Sequence, residues 1–193
     1  MDTVPNWCQN ILTILGSIED LEEMKKHGKD GRFTLESYYP FETEDGEWNY
    51  DWCVANWGTK WDVNEYMPNA TGMRIRPCVA KATPRGAREL TPGEYFKRIT
   101  RNNQGEIRPN KKKGEIQAGK IMIIFDTAWA PPREGLLEIS ARWYTISFKL
   151  VYVECGMNFA GTATMMNGKI ISQEYGEVDK YVERYGDVFG YTF

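Results

Sequence analysis

From Cys8 to Leu15 the chain alternates imperfectly between apolar and polar positions and stops at Gly16, which predicts a largely buried strand. Ser17 has Asp20 three residues on, close to a capping box. Ile18, Leu21 and Met24 then follow at helical spacing until Gly28 ends the run. Phe33 to Phe41 is rich in aromatics and reads as a second strand that ends at Pro40. A second unit of the same kind starts near Lys120. Ile121 to Phe125 is short, apolar and β-branched, as a central strand requires. Pro131-Pro132 must lie ahead of a helix or in its first turn, and Leu136, Ile139 and Trp143 then give one helical face through about Tyr144. Thr145 to Val153 sets Ile146, Phe148, Leu150 and Tyr152 against polar partners, the signature of a strand with one face inward. Asn167-Gly168 between two strand-like runs predicts a hairpin that extends the sheet, because both residues tolerate positive φ. Val178, Tyr181, Val182 and Tyr185 predict a final amphipathic helix over an edge or face.

The order β-α-β, a long interruption, then β-α-β is the split βαβ plan. We therefore expect an α+β fold with a ferredoxin-like core: an antiparallel sheet with helices on one face, an insertion after the second strand, and an added C-terminal hairpin and helix. Residues 1–193 are expected to form one domain, with the insertion at 42–118. Its first part, 42–62, is acidic and Trp-rich. Its second, 73–118, is basic and rich in Pro and Gly. There Thr91-Pro92-Gly93-Glu94 is a capping box with Pro at the first helical position, so a short helix is expected near 92–101.

The net charge is only −3, but it is unevenly placed. Residues 73–120 hold thirteen Lys/Arg against four Glu, so this stretch is near +9 and the rest near −12. The cysteines, Cys8, Cys53, Cys78 and Cys155, are too far apart for zinc knuckles or redox motifs, and His27 is the one histidine. No metal or other cofactor is expected. The N-terminus has no basic-then-apolar run, and the longest apolar stretch, Ile121 to Phe125, is far short of a membrane span. The expectation is a cytoplasmic protein with reduced thiols, with no membrane partner.

Four segments stand out: Pro5-Asn6-Trp7-Cys8-Gln9-Asn10, Asn56-Trp57-Gly58-Thr59-Lys60-Trp61-Asp62, Phe125-Asp126-Thr127-Ala128-Trp129-Ala130-Pro131-Pro132, and Glu154-Cys155-Gly156-Met157-Asn158-Phe159-Ala160-Gly161. Together they resemble the YubB-type, or Api-like, ferredoxin-like family of bacteriophages and conjugative plasmids. Their order and rough spacing match over nearly the whole chain. The family pattern more often has a proline near Cys155, and residues 78–118 look like added material. The resemblance implies a ferredoxin-like fold and a mobile-element origin in a bacterial host cytosol. It implies no activity, so no catalytic residue carries over.

Three groups of residues are candidates for function. Trp48, Trp52, Trp57 and Trp61 fall within fourteen residues, with Trp7 and Trp129 in the other motif segments. They suit a stacking platform for a base or a partner side chain, but Trp spaced by four or five also suits a secondary core that pins the insertion to the sheet. Asn56, Lys60, Asp62, Asp126 and Glu154 suit acid/base work at a strand-end cleft if burial shifts their pKa values. They equally suit a structural network in which Asp126 and Thr127 cap the following helix and Lys60 neutralises it. The basic stretch, with Arg98, Arg101 and Lys111, Lys112 and Lys113 among its charges, is either a solvated loop or a docking surface.

Catalytic signatures are missing from this pattern: it has no glycine-rich phosphate loop, no Ser-His-Asp order and no histidine pair. The first expectation is a non-enzymatic accessory protein that binds a host protein or complex, in the manner of a counter-defence factor. The second is RNA or DNA binding through the basic insertion and the sheet face. The third is a nucleotide-binding protein or an enzyme at the Asp126/Lys60/Trp cleft.

Overall fold

The computed structural model describes residues 6–43, 46–63, 72–78 and 118–189. The expected helix at 92–101 and the basic residues Arg98, Arg101, Lys111, Lys112 and Lys113 lie outside them.

Among the described residues, one antiparallel sheet of six strands organises the fold. The strands are β1 (Trp7–Ser17), β2 (Arg76–Cys78), β3 (Ala118–Ala128), β4 (Ser147–Glu154), β5 (Phe159–Met166) and β6 (Lys169–Gly176). Their spatial order is β2-β3-β1-β4-β5-β6. Helix α1 (Ile18–His27) follows β1, α2 (Leu35–Tyr38) and α3 (Tyr50–Asn56) precede β2, α4 (Arg133–Arg142) joins β3 to β4, and α5 (Val178–Phe189) follows β6. Both β3 and β4 pair with β1 from opposite sides, so the β3-α4-β4 crossover straddles it. That is the split βαβ arrangement, and the fold is α+β and ferredoxin-like.

Side-chain alternation gives the sheet two unlike faces. Leu12 lies opposite both Ile123 and Leu150, and Ile14 opposite Ile121 and Phe148. These six are buried in the main core, together with Leu21 and Met24 of α1 and Leu136 and Ile139 of α4. Ser17 caps α1 as expected, its Oγ accepting from Asp20 N at 3.0 Å. On the reverse face, Val153 and Ala160 pack against Val178, Tyr181 and Val182 of α5. The helices of the ferredoxin-like core thus share one face, while the added C-terminal helix covers part of the other.

One expected strand is absent. Residues 33–41 do not join the sheet; they form α2 and the turns around it. The rings that suggested a strand are used for packing between helices instead. Phe33 and Tyr38 stack at 5.1 Å, and the Tyr38 hydroxyl donates to Met24 O at 2.8 Å. Thr34 caps α2, its Oγ1 accepting from Ser37 N at 3.1 Å. Strand preference measures how well a side chain fits a half-buried pleated surface, and here a different surface claims those side chains. The second strand of the first βαβ half is β2, inside the stretch read as insertion. The Trp-rich part therefore precedes the second strand. The Asn167-Gly168 turn is as expected, with φ of 50° and 67°. Among the described residues, no helix is long and apolar enough to cross a membrane.

Candidate functional site

The four motif segments meet at one end of the sheet. Helix α3 ends at Trp57, and Gly58 turns the chain with φ of 79°. That left-handed backbone favours glycine at 58, where a Cβ would also displace the mobile end of the Glu134 side chain. The following loop docks on the end of β3. Thr59 Oγ1 donates to Ala128 O at 2.8 Å, and Gly135 N at the start of α4 donates to Trp57 O at 3.3 Å. Beneath it, buried Asn10 donates from Nδ2 to Cys8 O (2.8 Å) and Thr127 Oγ1 (2.9 Å), and Thr127 donates to Ala130 O at 2.7 Å. Thr127 therefore braces the turn before α4. It does not cap the helix, which begins without any side-chain cap.

Trp143 packs edge-on against His27 and Tyr38, and the six tryptophans of the motif segments and α3 region divide into two groups. Trp57 is fully buried, its Nε1 donates to Tyr39 O at 2.9 Å, and Trp52 and Phe41 pack on it at 5.6 and 4.6 Å. This is the secondary core. The others form a rim. Trp61 lies 6.1 Å from Trp7, and the Lys60 ammonium sits 4.3 Å above the Trp61 ring. Trp48 donates from Nε1 to Lys60 O at 3.3 Å yet remains 49% exposed. Trp129 is 50% exposed at φ of 75°, its N–H bonded to Asn6 O at 2.9 Å. A bulky residue in that region of backbone space is strained.

The carboxylates do not form one cleft. Asp62 accepts from Leu35 N (2.6 Å), Glu36 N (3.1 Å) and Val63 N (2.6 Å), so it caps α2 and closes its own turn. Burial nevertheless pushes it up to about 6, the three N–H groups opposing that rise. Asp126 lies opposite Gln9 and so shares the reverse face with Trp7. Its carboxyl is also buried and is raised to about 6 by desolvation. Glu154 aligns with Tyr152 on the core face, where it accepts from Gly156 N and Met157 N. Strand alternation thus sets Asp126 and Glu154 on opposite faces. Among the described residues no ion pair joins Lys60 to either. The acid/base grouping expected from sequence is not assembled, and each member has a local structural task or stands apart.

Asn56 is also structural, accepting from the Tyr39 hydroxyl at 2.9 Å. Burial raises the Cys8 thiol far above its usual range and Cys53 to about 11, which keeps both protonated and unreactive. Sequence reasoning missed Asn10, although its signal was present as a polar residue at an inward position of β1. It also missed an open groove of about 460 Å³ beside the rim, lined by Val54, Pro131, Arg133, Phe159 and Tyr175. Arg133 donates to the Tyr175 hydroxyl (2.8 Å) and Gln173 Oε1 (3.1 Å), contacts across forty residues that no local pattern signals.

Residues 105–189 match the family described as a ferredoxin-like domain in Api92-like protein. The described part of that match runs from β3 through α5 and includes four of the six strands of the sheet. Between its β3 and β4 lies the place that β1 fills in this chain. No curated protein and no solved structure matches the chain.

Proposed function

We propose that this chain is a non-enzymatic accessory protein of the phage or plasmid type, which acts by binding a host protein through the tryptophan rim. The observation that carries this reading is Trp129, half exposed and held at positive φ. Folding alone does not favour a strained backbone that delivers a large ring to water. Trp48 and the Lys60–Trp61 pair add further ring surface and a cation beside it, the side-chain types that anchor protein interfaces. Similarity to a ferredoxin-like domain of Api92-like proteins fits a mobile-element origin. Interference with a host defence is the biological form of this proposal.

The test is capture from host cytosol with the wild-type chain, Trp129→Ala and Trp61→Ala, all at physiological salt. The proposal expects a retained protein that both variants lose while keeping the wild-type circular dichroism. Retention unchanged by either substitution would remove the rim from consideration.

A second reading, nucleic-acid binding, draws on the reverse face. Lys120 and Lys149 both project there, and Lys149 has its pKa lowered by burial and then by Arg184 and Lys120 nearby. Affinity for random RNA that drops steeply with added salt would favour it. Salt-insensitive or absent binding would exclude it.

A further inference from the structure

The two edges of the sheet are built differently. β2 is three residues long and contains Pro77, which has no N–H to offer a further strand. β6 runs eight residues without proline, pairs among the described residues only with β5, and is exposed at all but its last position. Ile170, Ile171 and Tyr175 on it are 43%, 56% and 65% exposed. Such an edge is a ready template for another strand. It is also pre-ordered, because Arg133 holds Tyr175 and Gln173 from α4. The β5–β6 register shifts between Thr164, opposite Ser172, and Met165, opposite Ile170. Ile171 is the extra residue of that bulge, an apolar side chain without an opposite number on β5.

We propose that β6 is a homodimerisation edge, pairing antiparallel with β6 of a second copy about a two-fold axis at Gln173. In this register Ile171 of each copy faces Tyr175 of the other, and Ser172 faces Glu174. Lys169 of each copy comes beside Glu177 of the other at the ends. No like charges oppose one another. A register centred one residue later sets Glu174 against Glu174, and one centred a residue earlier sets Ile170 against Glu174. The edge is thus self-complementary in apolar surface and in charge, which a two-fold interface requires. A foreign strand would have no need of that property.

Sedimentation velocity on the full chain should show concentration-dependent conversion of the 22.3 kDa chain to a dimer. Ser172 is exposed, so both of its charge variants should leave the monomer folded. Ser172→Lys should tighten the dimer and Ser172→Glu weaken it, each by about tenfold because every new charge pair occurs twice across the axis. In a Cys155→Ser background, oxidised Gln173→Cys should cross-link between copies. Ile171→Cys should not, since its two copies lie about 13 Å apart along the strands. A chain that stays monomeric at every soluble concentration overturns the proposal. So do equal cross-linking at positions 171 and 173, or Ser172 variants that shift association in the same direction.

Discussion

Two clusters of tryptophan draw on the same stretch of chain, residues 48–61, and do opposite things. The wedge of Trp52 and Trp57 is closed off by Tyr39 and Phe41, with Trp57 fully buried and its indole N–H bonded to Tyr39 O. The rim of Trp48, Trp61 and Trp129 is held by backbone hydrogen bonds and a cation, and leaves ring surface in water. Two carboxyls near them, Asp62 and Asp126, are raised to about 6 by desolvation. Asp62 is embraced by three backbone N–H groups, whereas among the described residues no hydrogen bond reaches the Asp126 carboxyl on β3. Ring content alone does not separate a core from a surface. The hydrogen-bond partners of the backbone beneath it do.

The sharpest way to break this contrast is a pair of truncations. Trp57→Ala should lower unfolding free energy by about 3–5 kcal/mol, since a fully buried ring is lost and a cavity left. Denaturant titration measures it directly. A loss below about 1 kcal/mol would mean that the wedge is not a core. Next in size is Asn10→Ala, which strips partners from Thr127 and the Cys8 carbonyl beneath the rim. It should cost about 1–3 kcal/mol, the range for leaving buried polar groups unpaired. Rim-dependent binding should weaken with it, because the brace under residues 127–130 is gone.

The two carboxyls sharpen the comparison through pH. Asp126 titrates at about 6 in the folded chain against about 3.9 unfolded, so the folded state holds the proton more tightly. The stability this confers is full below pH 4 and is lost as pH rises through 6. Asp126→Asn should therefore flatten the stability profile between those values. At pH 7 it should be more stable than the wild type by on the order of 1–2 kcal/mol. Asp62→Asn removes the same burial cost but also weakens the caps on Leu35 and Glu36, and should be destabilising at pH 7 by about 1 kcal/mol. If both substitutions stabilise, the assignment of Asp62 as a cap is wrong. The smallest expected effect is Trp129→Ala. Thermal melts should place it within about 0.5 kcal/mol of the wild type, as for surface positions generally, whatever its effect on binding.

The local patterns were legible wherever one face of one element decided the outcome. The inward positions of β1 and β4, the Ser17 cap and the Asn167-Gly168 turn all follow from residues within a few places of each other. The similarity of residues 105–189 to a ferredoxin-like domain accords with that reading. Residues 33–41 misled because their aromatics satisfy strand preference as well as they satisfy packing between helices. At the candidate site, the motif segments do converge, but periodicity could not tell Trp57 from Trp61. Trp52 and Trp57 share a wedge because Tyr39 and Phe41 come back to cover them, a long-range event.

What the sequence determined by itself is the succession of elements and which side of each is apolar, since periodicities of 2 and 3.6 are properties of the local chain. Tertiary structure alone decided which strand became the edge, which carboxyls lost water, and which tryptophans kept it. Those outcomes depend on neighbours tens of residues away, and burial belongs to the assembled neighbourhood rather than to the residue.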